Sequence, residues 1–158
     1  MLKKFISAAA LGLALTACDD TCTESKTSND GMFDGQFTPN KADENELKNT
    51  AGDRVFFALD SSNVDSTGKE TLKRQAEWLK KNADKSAEIQ GHCDERGTTE
   101  YNVALGERRA HAVKKHLVNL GVDAKRIKTV SFGKERPAVE GNNEAAWSQN
   151  RRGVTVVN

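Results

Sequence analysis

The stretch richest in reactive groups is His92-Cys93-Asp94-Glu95, followed fifteen residues after Asp94 by Arg109, with Arg108 beside it. Imidazole, thiolate and carboxylate all ligate zinc, which invites a metal reading of the first three. The surrounding pattern is that of a strand, whose successive side chains point to opposite faces, and this keeps His92 and Cys93 from sharing one ion. His111 and His116 are five apart and do not face each other as an i, i+4 pair does, so both read as surface. Asp94 beside Glu95 in one loop does not supply the opposed carboxylates of a glycosidase, and too few histidines fall at ligand spacing for a zinc amidase. The expectation is a protein without catalysis, metal or cofactor. What remains is binding: Asp94 can pair with an ammonium, and the planar guanidinium of Arg109 can hold a carboxylate through two parallel hydrogen bonds. Taken alone, Arg108 and Arg109 read equally as solvated helix charges, and Asp94 as a loop carboxylate that accepts from backbone donors.

The choice depends on the elements that carry them. Ser86 to Cys93 alternates polar with small or apolar residues, the pattern of a half-buried strand, and a loop through Gly97 leads into the longest helix. That helix carries Val103, Ala110, Val113, Leu117 and Leu120 on one side and ends at Gly121. Asp94 then lies just past a strand end and Arg109 in about the second turn of the helix, so both can face one cleft. Upstream, Arg54 to Leu59 forms a first strand, halted by the turn residues Asp60-Ser61-Ser62-Asn63. Thr67 and Glu70 make a capping box before a helix with Leu72, Ala76 and Leu79 on one face. Ile127 to Phe132 is a third strand, and Gly153 to Val157 a fourth, after a loop of some twenty residues that contains Trp147. The order β-α-β-α-β-β predicts an α+β two-layer sandwich, with helices on one face of a four-stranded mixed sheet.

The N-terminal region has another character. Lys3 and Lys4 precede an apolar run, Phe5 to Ala17, too short to span a bilayer as an ordinary helix, which is the pattern of a secretory signal peptide over residues 1–17. Leu15-Thr16-Ala17-Cys18 resembles the bacterial lipobox, and this implies a lipid-bearing Cys18; several acyl chains make a lasting anchor at ~0.8 kcal/mol per buried methylene. Removing residues 1–17 leaves 22 basic residues against 23 acidic ones, a balance that argues against nucleic-acid binding. Residues 18–50 read as a lipidated N-terminus and disordered tether, its ends ~30 Å apart as a flexible coil and up to ~100 Å when extended. Residues 51–158 form one domain. Of the three cysteines, Cys22 and Cys93 are left after Cys18, and a bond between them stays open because a flexible tether fixes no geometry.

The run Gly91 to Ala110, with Val55-Phe56-Phe57 and Asp60, Val130 to Pro137, and Asn150-Arg151-Arg152, resembles the OmpA-like peptidoglycan-binding domain, and within it the peptidoglycan-associated lipoproteins of the Tol-Pal system. The resemblance covers about residues 53–158. It implies that Asp94 and Arg109 hold the diaminopimelate residue of a peptidoglycan stem peptide, that Asn102 and Leu105 line the same cleft, and that backbone amides near Phe57 and Ala58 help to hold a ligand carboxylate. Ala58 stands where many members carry an aspartate. The resemblance further implies Tol partners such as TolB and TolA, a role in envelope integrity and cell division, and an outer-membrane lipid anchor with the domain facing the periplasm. Asp19 after Cys18 resembles an inner-membrane retention signal of enteric bacteria and keeps that placement open. A stator protein of the same fold is disfavoured because no transmembrane helix precedes the domain.

Overall fold

The computed structural model describes residues 37–158; residues 1–17, read above as a signal peptide, and Cys18, Asp19 and Cys22 lie outside the described residues. The elements run α1 (Lys41–Thr50), β1 (Arg54–Phe56), α2 (Ser66–Lys81), β2 (Ala87–His92), α3 (Thr99–Asn119), a 3-10 turn (Ala124–Arg126), β3 (Ile127–Gly133), α4 (Glu144–Asn150) and β4 (Arg152–Val157). The sheet order is β1-β4-β2-β3, with β4 antiparallel to both β1 and β2 and with β2 parallel to β3. It is the α+β mixed sheet that the sequence order implies. Alternation places Val55, Ile89, Ile127 and Val157 on one face, where Leu72, Ala76 and Leu79 of α2 and Ala110, Val113 and Leu117 of α3 close the core.

Two glycines set how closely α3 approaches that sheet. A Cβ on Gly91 of β2 would sit 1.9 Å from the carbonyl oxygen of Gly106, and one on Gly106 would meet the Ser131 hydroxyl at 2.3 Å. Backbone therefore packs on backbone midway along the helix, and the first half of α3 is drawn down beside the end of β2. This rotates its inner face away from the apolar stripe read from the sequence. Asn102, Leu105, Gly106 and Arg109 are buried, whereas Val103 is exposed. The i, i+3, i+4 spacing persists, but in its N-terminal half only Leu105 is apolar beside Asn102, Gly106 and Arg109, so apolar periodicity does not mark it.

Several boundaries differ from expectation. The helix α1 occupies the last third of the supposed tether, so the folded unit begins before residue 51. It offers one fully buried apolar side chain, Leu47, too few for a visible period, and its position rests on tertiary contacts. Trp78 Nε1 donates to Glu46 at 3.1 Å, and Lys85 pairs with Asp43 at 2.8 Å. In α2 the N-cap is Asp65, whose carboxylate accepts from Gly68 N–H at 2.7 Å, in place of the Thr67–Glu70 box. β1 ends at Phe56, three residues before the expected Leu59, and β4 begins one residue early at Arg152. The long loop before β4 contains α4, a seven-residue helix capped by Asn143 and too short to show a period. Gly121, at φ 93°, ends α3 as expected.

If α1 belongs to the cooperative unit, Leu47→Ala should lower the unfolding free energy of the full-length chain by roughly 2–4 kcal/mol in urea titration. A loss under about 0.5 kcal/mol, the size of an ordinary surface substitution, would detach α1 from the domain.

Candidate functional site

Three segments converge where β1 and β2 end: Phe57 to Ser61 after β1, Cys93 to Thr98 after β2, and the first three turns of α3. Between them lies a cleft of about 300 Å³, lined among others by Leu59, Asp60, Asp94, Arg96, Tyr101, Asn102, Leu105 and Arg109. Asp60 adopts a left-handed conformation at φ 52°, which aspartate tolerates better than most residues. Its carboxylate accepts a hydrogen bond from the Tyr101 hydroxyl, closing one rim.

Arg109 forms the floor. It is 1% exposed, its Nε donates to the Ser61 carbonyl at 2.9 Å, Nη1 to that of His92 at 2.8 Å and Nη2 to that of Ala58 at 3.1 Å, and the Phe57 ring lies 5.2 Å from its guanidinium carbon. Its hydrogen-bonding capacity is thus well used, yet no carboxylate lies within ion-pair distance of it among the described residues. Burial lowers its pKa from the ordinary arginine value, and the group remains a cation met by carbonyl dipoles and the Phe57 ring, with Asp94 acting on it only from beyond ion-pair distance.

Asp94 sits across the cleft and is also buried. Arg96 reaches it through Nη2 at 2.5 Å, Nε at 3.2 Å and its backbone N–H at 3.2 Å, and Arg151 adds Nη1 at 3.3 Å. Burial by itself would raise the Asp94 pKa, but the hydrogen bonds from Arg96 and Arg151 outweigh it and hold the carboxyl below its usual range. Asp94 is therefore a fixed carboxylate and not a proton donor at neutral pH.

The sequence-derived residues are brought together in large part. Asp94, Asn102, Leu105 and Arg109 all line the cleft. Asn102 contributes through position: its Nδ2 donates to the carbonyls of Arg96 at 2.7 Å and Thr98 at 3.1 Å and so shapes the Asp94 loop. Phe57 and Ala58 depart from expectation. Pairing with the β4 end continues one bond beyond Phe56, so the Phe57 N–H is already committed to the Arg151 carbonyl at 2.9 Å, and Ala58 turns its carbonyl to Arg109. Leu59 and Asp60 form that wall instead. Arg109 stands at the end of the third turn of α3, one turn later than expected, because the helix starts at Thr99. Arg96, Tyr101 and Arg151 carry no mark of type or spacing in the sequence; Arg151 comes from the far end of the chain, and only its place in Asn150-Arg151-Arg152 hints at it.

Other marked residues have quieter surroundings. Arg108 and Glu107 are exposed on α3, and His111 is exposed as expected. Cys93 is buried and forms no disulfide among the described residues, its thiol donating to the Asn102 carbonyl at 3.3 Å, and burial raises its pKa; Cys22 lies outside the described residues. Among the described residues no group of three or more His, Cys, Asp or Glu side chains could hold a metal ion. No described helix is long and apolar enough to cross a membrane.

Residues 56–151 match the OmpA family. The chain belongs to that family. It is 42% identical over 149 residues to a peptidoglycan-associated lipoprotein of Brucella melitensis, covering 94% of this chain and 88% of that one. Identity to the peptidoglycan-associated lipoprotein of Agrobacterium fabrum is 39% over 152 residues, covering 96% and 86%. The crystal structure of the peptidoglycan-associated lipoprotein from Burkholderia pseudomallei superposes with a TM-score of 0.66 at 43% identity, over 67% of this chain and 90% of that one. The C-terminal domain of Helicobacter pylori MotB shares the fold alone, at a TM-score of 0.63 and 19% identity over 67% of this chain and 84% of that one.

Behind the OmpA-family cleft, His92 stacks on Phe132 with ring centroids 5.5 Å apart, and burial, followed by the charges of Arg152 and Arg136, lowers its pKa from 6.5 to about 4. The folded state then refuses a proton that the unfolded chain accepts, so stability should fall as pH drops from above 6.5 to about 4, by roughly 3 kcal/mol in all. The Asp94 contribution has a separate window: it is present above pH 3.8 and is lost as pH falls through the lowered pKa. Urea unfolding at pH 7, 5.5 and 4.5 should therefore show a decline that His92→Leu largely removes. An equal slope in both proteins would refute this account of His92.

Proposed function

We propose that this chain is a non-catalytic peptidoglycan-binding lipoprotein that tethers the outer membrane to the cell wall by holding the diaminopimelate of stem peptides. The observation that carries the reading is the buried Arg109 guanidinium, which faces a cleft without an acidic partner and stands opposite a carboxylate, Asp94. The free end of diaminopimelate carries an ammonium and a carboxylate on one carbon. A ligand carboxylate would give Arg109 the anion it lacks, and the neighbouring ammonium suits Asp94. Leu105 and Leu59 supply apolar walls for the methylene stem, and Asp60 and Tyr101 the rim. An ionised Asp94 tied to two arginines favours retention of the ligand over its hydrolysis.

The OmpA family membership and the names of the relatives support the same assignment. Lipid on Cys18 would fix the chain in the outer membrane with the domain in the periplasm, and several copies on one wall would add avidity to modest single sites. TolB and TolA are the partners proposed with it, within the Tol-Pal system of envelope integrity and division.

Sedimentation of the purified full-length chain with diaminopimelate-type sacculi tests the site. Wild type should pellet with the wall, Asp94→Ala should remain in the supernatant, and Arg109→Lys should lose at least about tenfold in affinity because ammonium cannot reproduce the guanidinium fork. Lysine is chosen because Arg109→Ala would remove the donor to the buried His92 carbonyl along with those to Ser61 and Ala58, and threaten the fold. A folded wild type that stays in solution would end the wall-tether reading.

A further inference from the structure

On its Asp94 side the cleft is closed by the chain itself. A carboxylate offers about four lone-pair sites. Asp94 receives four donors: the Arg96 backbone N–H, Arg96 Nε, Arg96 Nη2 and Arg151 Nη1. An incoming ammonium can therefore reach Asp94 only by displacing one of the two guanidinium groups.

The two are not equally held. The Arg151 side chain is 8% exposed, and besides Asp94 it donates to the Phe57 carbonyl at 3.1 Å and to Glu144 at 2.5 Å. The Arg96 side chain is 34% exposed, and besides Asp94 its guanidinium meets the face of Trp147, 4.0 Å from the ring centre, and the more distant charges of Glu144 and Glu95. Such a stacking contact at an exposed site is weak, and it lets the guanidinium slide along the ring. Trp147 is itself fixed, its Nε1 donating to Glu95 at 3.0 Å. The movable group is Arg96.

We propose that Arg96 is a built-in counter-ion that competes with the ligand ammonium for Asp94 and thereby sets the selectivity of the cleft. This rests on the diaminopimelate reading of the site. With Arg96 in place the cleft is more cationic and accepts a carboxylate whether or not an ammonium accompanies it. With Arg96 withdrawn, the bare Asp94 carboxylate attracts an ammonium and repels a ligand that has only carboxylates.

Isothermal titration of the full-length chain with two soluble probes separates these cases. One is a stem tripeptide ending in meso-diaminopimelate; the other ends in 2-aminopimelate, which keeps both carboxylates and lacks the distal amino group. In Arg96→Ala the first probe should bind about threefold more tightly, the scale of a partly exposed ion pair, while the second binds no more tightly than to wild type. Arg96→Gln should do the same and serves if the alanine variant loses its near-ultraviolet circular dichroism. Weaker binding of the diaminopimelate probe, a change below twofold, or equal tightening of both probes would overturn the competition. Wild type binding neither probe would instead remove the ligand reading on which it rests.

Discussion

A guanidinium buried among carbonyls organises this domain. Arg109 reaches from α3 to Ala58 and Ser61 in the segment after β1 and to His92 at the end of β2, so one side chain joins three stretches distant in sequence. The planar fork suits three acceptors in different directions, whereas a lysine has its three donors on one nitrogen and cannot span them. The reach depends on α3 lying almost in contact with β2, which the Gly91–Gly106 approach permits. Site geometry and core packing are therefore a single arrangement.

Charge in the cleft is divided unevenly. Arg109 has dipoles but no acid, while Asp94 has two arginines and no open lone pair. A zwitterion complements this arrangement better than a simple cation or anion, since it brings an anion to the undercompensated end and a replacement cation to the other. Arg151 links this balance to α4 through Glu144, and Trp147 of the same helix stacks on Arg96. The late insertion before β4 thus forms part of the wall of the site.

The sandwich itself says little about ligand. MotB shares it at 19% identity, and a sheet with helices on one face hosts many chemistries. What distinguishes the cleft is which residues stand at the ends of β1 and β2 and on the inner face of α3.

From the sequence alone follow the order of the four strands with α2 and α3, the mixed sheet, the apolar faces of α2 and of the C-terminal half of α3, the glycine stop at Gly121, and the placing of Asp94, Asn102, Leu105 and Arg109 in one cleft. Those features are local or rest on motif: periodicity is written in neighbouring residues, and the Gly91 to Ala110 run spans both halves of the charged pair. Tertiary structure decided the rest. Helix α1 is held by Leu47, Glu46 and Asp43 against partners some thirty to forty residues away, which no local pattern records. Leu59 and Asp60 stand on the cleft wall in place of Phe57 and Ala58 because pairing with the β4 end runs on to Phe57, whose N–H binds the Arg151 carbonyl, and the chain turns into the cleft only after it. Arg96 and Arg151 look in the sequence like any surface arginines, and only the fold brings both to the same buried carboxylate, where removal from water turns ordinary charges into specific partners.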